Sequence, residues 1–213
     1  MESTRIVAIR HGETAWNVDG RIQGQLDIPL NDTGRLQARR MARALAAREP
    51  LAAVYTSDLA RAHDTALALA HAAGLAPTAH PGLRERNFGG YQGLTFPEIE
   101  ARWPEASQRW RRRDPDWAPP DGESLLAVRS RVLETVGAIA AAHPGRLIAL
   151  VTHGGVLDQL YRAATGLDLQ AARTWELANT SINRLLWTPD GLHLVGWADT
   201  THLEDLSLDE TGT

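Results

Sequence analysis

The chain has no cysteine and no lysine. Without cysteine there can be no disulfide, no thiolate metal site and no cysteine nucleophile. The lack of lysine reads as codon bias, but it has a physical consequence. All 22 basic residues are arginine, a planar fork that grips phosphate or carboxylate through paired hydrogen bonds. There is no surplus of positive charge: the net charge is −4, which argues against nucleic acid as a partner. No apolar run reaches membrane-spanning length, and the N-terminus MESTRIVAIRHGE is too short and too polar for a signal peptide. The expectation is a cytoplasmic protein with no membrane partner.

What remains is an ordinary globular composition, 43% hydrophobic and 23% charged over 213 residues, enough for one domain with a full core. Arg5–Arg10 is a short run rich in β-branched residues and reads as a buried strand. Polar residues and glycines follow to Gly24. Asn31-Asp32-Thr33 caps a helix running to about Arg48. Ala52–Thr56 is a second strand, and Ser57-Asp58 opens a helix that Gly74 closes. Glu123–Ala142 is a long amphipathic helix, Arg146–Val151 a third strand, and Gly154-Gly155 starts another helix. Ser181–Trp187 and Leu192–Trp197 form a strand pair around the turn Pro189-Asp190-Gly191. The alternation of strands and helices predicts an open, mostly parallel sheet covered on both faces. Arg102–Pro120, dense in Trp, Pro and Arg, reads as an irregular lid. No linker or internal repeat divides the chain, so residues 1–213 are expected to form one domain with a lid at about 95–122. The acidic last ten residues are expected to fray.

Open α/β sheets bind ligands beyond the carboxyl ends of their strands. Three predicted strands end in reactive sequence: Arg10-His11-Gly12-Glu13-Thr14, Thr56-Ser57-Asp58 with Arg61 one turn on, and Thr152-His153-Gly154-Gly155. The glycines free backbone N–H groups for an anion, and Gly154 lies at a helix start, where the dipole favours negative charge. Two imidazoles, the Arg10 and Arg61 guanidiniums and a helix N-terminus suit a phosphoryl dianion. A neutral His11 can attack phosphorus to form a labile phosphoramidate. The arginines keep His11 neutral and offset charge in the transition state. Glu85, in Leu83-Arg84-Glu85-Arg86, is the carboxylate available to protonate the leaving oxygen. Taken singly, His11 could be structural, Arg61 solvated and Glu85 a surface ion pair; the set carries the argument. His63 and His71 share a helix face without ligand spacing, and His80, His143, His193 and His202 have no such context. No metal site is expected.

Arg10-His11-Gly12-Glu13-Thr14 with Asn17 resembles the signature of the histidine phosphatase superfamily, in its phosphoglycerate mutase-like branch. The resemblance continues in order through Arg21–Leu30, Thr33-Gly34, Thr56–Arg61 with Thr65-Ala66, Leu83-Arg84-Glu85, Gly89 with Gly93-Leu94, Pro120 with Gly122-Glu123-Ser124, Val151–Gly155, Asn179–Ile182 and Gly196–Leu203. It implies a three-layer α/β/α sandwich with a mostly parallel central sheet and metal-independent transfer through phosphohistidine. His11 would be the nucleophile and Glu85 the proton donor, with Arg10, Arg61 and His153 binding the phosphoryl group. Asn17 would add a hydrogen bond, Gln23 and Gly24 would line the mouth, and Gly154 would add its backbone. The expected substrate is a small phosphorylated metabolite, with no cofactor. A mutase reading would add 2,3-bisphosphoglycerate as phosphoryl donor. The short stretch between Glu85 and His153, and Asn87-Phe88 where the mutases resembled have His-Tyr, favour hydrolysis. Trp110-Arg111-Arg112 resembles the mutase segment that holds a substrate carboxylate, with Arg109 and Arg113 as weaker candidates for that role. A non-catalytic phosphate-binding protein is the remaining alternative. Oligomeric state is open, a homodimer among the options.

Overall fold

The computed structural model describes residues 2–204. In chain order it runs β1 (Thr4–Arg10), α1 (Ala15–Val18), α2 (Asp32–Ala46), β2 (Ala53–Thr56), α3 (Ala60–Ala73), β3 (Pro77–Ala79), α4 (Phe96–Arg102), α5 (Pro104–Arg111), α6 (Leu125–Ala141), β4 (Leu147–Thr152), α7 (Gly154–Thr165), β5 (Ile182–Thr188) and β6 (Gly191–Asp199). The six strands form one sheet in the order β3-β2-β4-β1-β5-β6. The pairs β3–β2, β2–β4 and β4–β1 are parallel; β1–β5 and β5–β6 are antiparallel.

Strand side chains alternate between faces, so each central strand feeds two cores. Ile6 and Ala8 of β1, with Ile148 and Leu150 of β4, pack beneath Val128, Val132 and Val136 of α6 and Val156, Leu157 and Leu160 of α7. Val7, Ile9, Ala149 and Val151 point the other way, onto Met41 and Leu45 of α2 and Ala62, Ala66 and Leu69 of α3. Both faces of β4 are therefore covered, and all six of its residues are buried. This is why its sequence is a continuous apolar run rather than an alternating one. The result is the expected three-layer α/β/α arrangement. β1 and β4 lie side by side at its centre and bring two strand ends, His11 and His153, together.

Several boundaries differ from the sequence reading. α3 starts at Ala60 rather than at Ser57-Asp58, because the Ser57 N–H still bonds the Val151 carbonyl (3.0 Å) as an extension of the sheet. Asp58 is turned to Arg84 instead (2.6–2.7 Å). The first N–H of α3 is capped from a distance, by Asp27 (2.7 Å). Arg102–Pro120 is not irregular throughout: α4 and α5 occupy 96–111. A reciprocal capping box between Thr95 and Glu98 starts α4, and Pro104 opens α5. Of the acidic stretch 204–213 only Glu204 lies within the described residues. None of the described helices is long and apolar enough to cross a membrane.

Candidate active site

β1 ends at Arg10, and the His11 N–H bonds the Thr152 carbonyl (2.9 Å), so the last rung of the β1–β4 ladder fixes the His11 backbone. Its Nδ1 lies 2.7 Å from the Gly12 carbonyl oxygen. A carbonyl can only accept, so Nδ1 carries the ring proton and Nε2 keeps its lone pair. The Gly12 N–H donates to Thr65 Oγ1 (3.0 Å), which in turn donates to the Arg61 carbonyl (2.7 Å). Asn179 Nδ2 donates to the His11 carbonyl (2.9 Å). The nucleophile candidate is thus held from three elements.

His11 and His153 are 3% and 0% exposed, with ring centroids 5.1 Å apart. Burial, then the neighbouring Arg10 and Arg61 cations, hold His11 well below its ordinary pKa. Burial, Arg61, His11 and Arg10 do the same to His153. Both are neutral at pH 7. His153 is the N-cap residue of α7, and neither of its ring nitrogens has a hydrogen-bond partner among the described residues. Arg61 reaches the carbonyls of Leu26 (2.8 Å) and Gly24 (2.7 Å) and is fully buried, which lowers its pKa to about 10. Arg10 donates to the Leu177 carbonyl. The Nε atoms of both arginines are buried and unbonded among the described residues. A buried donor without an acceptor costs about 1–3 kcal/mol, more when charged. Several such donors converging on one neutral imidazole make a place for an anion.

Glu85 reaches this place from the loop before α4. Its Oε2 accepts from the Gly155 N–H (3.0 Å) and its Oε1 from the Arg86 N–H (2.7 Å). A Cβ on Gly155 would lie 2.1 Å from Glu85 Oε1, so the site requires glycine there. The Glu85 loop is tied down by Arg131. This residue donates to the carbonyls of Gly82 and Arg84 (both 2.9 Å) while forking onto Glu123 (2.8 Å to each oxygen). Thr152 Oγ1 adds a bond to the Leu83 carbonyl (2.8 Å).

Asn17 is placed by the capping box of α1: its Oδ1 accepts from the Thr14 N–H and Oγ1 (both 3.1 Å), leaving the amide nitrogen for a ligand. Gln23 is buried, its Oε1 unpaired among the described residues. Gly24 has φ +53° and lies against Gln92. A cavity of about 420 Å³ opens beside Arg10, Glu85, Gly154 and Gly155. The lid contributes Trp110 and Arg113 to its wall, but neither Arg111 nor Arg112. Arg111 is turned outward onto Glu100 (2.6 Å) and over the Phe96 ring, and Arg112 is exposed. Arg109 is paired with Asp114 (2.7 Å). Arg113, two residues past the end of α5 with φ +52°, bends back to Asp158 (2.6 Å). Sequence reading gave no role to Thr65, Asn179 or Arg131. The first two stand inside the recognised motifs; Arg131 carries no local signal. Among the described residues no group of three or more His, Asp or Glu is arranged to hold a metal ion.

Two curated proteins of Arabidopsis thaliana are similar along nearly the whole chain. Phosphoglycerate mutase-like protein 4 is 38% identical over 216 residues, covering 100% of this chain and 92% of its own length. A metal-independent phosphoserine phosphatase is 38% identical over 213 residues, covering 99% and 88%. Among solved structures, a native mycobacterial glucosyl-3-phosphoglycerate phosphatase superposes with a TM-score of 0.83 at 35% identity, covering 93% of this chain and 100% of that one. Residues 6–200, from the first strand through the sixth, match the histidine phosphatase superfamily (branch 1), and the chain belongs to that family.

Proposed function

We propose that the protein is a metal-independent phosphomonoesterase that hydrolyses a small phosphorylated metabolite through a phosphohistidine at His11. One observation carries this reading: the bond from Nδ1 to the Gly12 carbonyl leaves His11 Nε2 unprotonated among buried cationic donors. The Nε2 lone pair attacks phosphorus, and the bond to the leaving oxygen breaks as Glu85 delivers a proton to that oxygen. Arg10, Arg61, neutral His153 and the Asn17 amide nitrogen donate to the three equatorial oxygens, where charge gathers in the transition state. Water then attacks the phosphohistidine, Glu85 takes its proton, and phosphate leaves His11 free. The metal-independent character named for the plant phosphoserine phosphatase supports the same chemistry here. A net charge of −4 favours a small metabolite over nucleic acid, met in the cytoplasm.

The mutase alternative drew on Arg111 and Arg112 as carboxylate ligands, and both lie off the cavity wall; Arg113, the weaker candidate that does reach it, is paired with Asp158. A purely binding role would leave a nucleophile, a proton donor and their supporting bonds without purpose.

The test is hydrolysis of p-nitrophenyl phosphate in excess chelator, with mass spectrometry of rapidly quenched enzyme. Phosphate release that survives the chelator, with an acid-labile phosphoryl group on the His11 peptide, is the expected result. His11→Ala abolishes both, a loss of 10³-fold or more. Undiminished turnover by that variant would exclude His11 as nucleophile.

A further inference from the structure

The cavity beside the phosphoryl site carries more positive charge than the phosphoryl group and the local carboxylates consume. Four arginines line it: Arg10, Arg86, Arg113 and Arg173. Three are committed. Arg10 belongs to the phosphoryl site and donates to the Leu177 carbonyl. Arg86 is buried and bonds the Glu123 carbonyl (2.8 Å). Arg113 bonds the Leu169 carbonyl (2.6 Å) and pairs with Asp158. Arg173 differs. It is exposed, and it has no hydrogen bond or ion pair among the described residues. It stands in the segment between α7 and β5, close enough for its charge to act on Arg10.

Resting on the phosphatase reading above, we infer that Arg173 is a specificity residue that binds a carboxylate on the leaving group of the substrate. A phosphoryl dianion engages Arg10 and Arg61, and Arg86 and Arg113 are held by protein acceptors. Arg173 is the lining guanidinium whose fork no described residue occupies, and its complement is a single planar anion. A carboxylate fits it better than a second phosphoryl dianion, and its two oxygens suit the planar fork. The cavity volume of about 420 Å³ admits a small leaving group, and Phe88, Trp110 and Leu177 give its carbon stem an apolar wall.

The experiment compares two ligands that differ at one end: 3-phosphoglycerate, and glycerol 1-phosphate, which has a hydroxymethyl group in place of the carboxylate. Each is measured as a competitor of p-nitrophenyl phosphate hydrolysis. The wild type is expected to bind the carboxylate-bearing compound at least about ten-fold more tightly, as a charge-assisted pair allows. Arg173→Gln is expected to bring that ratio near one, and Arg173→Lys to restore part of it. A wild type with no preference overturns the inference while leaving the phosphatase reading standing. So does an Arg173→Gln variant that weakens both ligands equally, since that marks a general field effect. Tighter binding of 1,3-propanediol bisphosphate than of 3-phosphoglycerate, lost in the same variant, would overturn the carboxylate in favour of a second phosphate. If the wild type hydrolyses no aryl phosphate, the phosphatase reading fails, and calorimetric titration of the same two ligands decides the role of Arg173.

Discussion

At Gly155 a single methyl group would collide with Glu85, the proposed proton donor. Its Cβ would fall 2.1 Å from Glu85 Oε1, whereas a Cβ on Gly154 would have Arg10 Nε at 3.7 Å as its nearest neighbour. Both glycines sit in the first turn of α7, where alanine is otherwise the better helix former by up to about 1 kcal/mol. Gly155→Ala should therefore lower kcat by ten-fold or more, since Glu85 must move, while the urea midpoint changes little. Gly154→Ala should cost clearly less activity. Steady-state kinetics beside urea melts checks the contrast, and equal losses in the two variants would remove the steric account. The same scale explains what sequence could show at the site. His11, Arg10, Arg61, Glu85 and His153 were legible because each stands at a strand end or in a short motif with a chemical reason for its residue type. Arg111 and Arg112 were misplaced because a one-residue change in the direction of the chain at Arg113, with its positive φ, decides which arginine meets the cavity. Nothing in Arg109–Arg113 encodes that turn. Arg173 carries no signal in the sequence because it stands outside the recognised motifs, and only its place on the cavity wall singles it out.

The lid is a small element with its own core. Tyr91, Ile99 and Trp117 are buried there, apart from the two clusters flanking the sheet, with Phe88 and Trp110 packed against them. Trp110 stacks on Phe88 (5.3 Å between centroids) and on Tyr91 (5.8 Å) while lining the cavity. Removing its ring takes away the packing that joins α5 to the rest of the lid, at roughly 2–4 kcal/mol for a partly buried tryptophan. Because this cluster is separate from the main cores, that loss should appear as local opening. In Trp110→Ala, amide exchange should speed up across 96–117 and KM should rise several-fold. Exchange in β1 and β4 should stay slow. Faster exchange throughout the sheet would show instead that the lid is part of one cooperative core. The elements themselves were unequally legible. β1, β4 and the helices against them announced themselves by apolar runs and periodicity. β3 has three residues, one of them proline, too few for any pattern, and it exists because β2 offers an edge to pair with. The two lid helices were obscured by their Trp, Pro and Arg content. Yet the Thr95–Glu98 spacing was a readable start signal.

For the whole molecule, the site is a source of acid sensitivity. In the unfolded chain His11 and His153 titrate near 6.5; in the folded chain both are held well below that, first by burial and then by Arg10 and Arg61. Below pH 6.5 the unfolded state therefore binds protons that the folded state refuses. Stability is complete above about pH 6.5 and is lost as the pH falls beneath it, by about 1.4 kcal/mol per unit for each histidine. The loss should continue toward pH 5, as far as both imidazoles stay neutral in the folded chain. Asp199, whose pKa is depressed despite its burial by bonds from Thr201, Arg184 and Arg48, acts in the same direction only below about pH 4. It therefore contributes little to this window. Urea unfolding at pH 7, 6 and 5 reads the effect directly. His11→Gln keeps a neutral polar side chain that cannot take a proton, so it should flatten the slope between pH 6.5 and 5, leaving the part due to His153 and to His202, which burial also holds down. An unchanged slope in that variant would mean that His11 takes up a proton in the folded protein as readily as in the unfolded chain, and would remove burial and the two arginines as the cause of its neutrality.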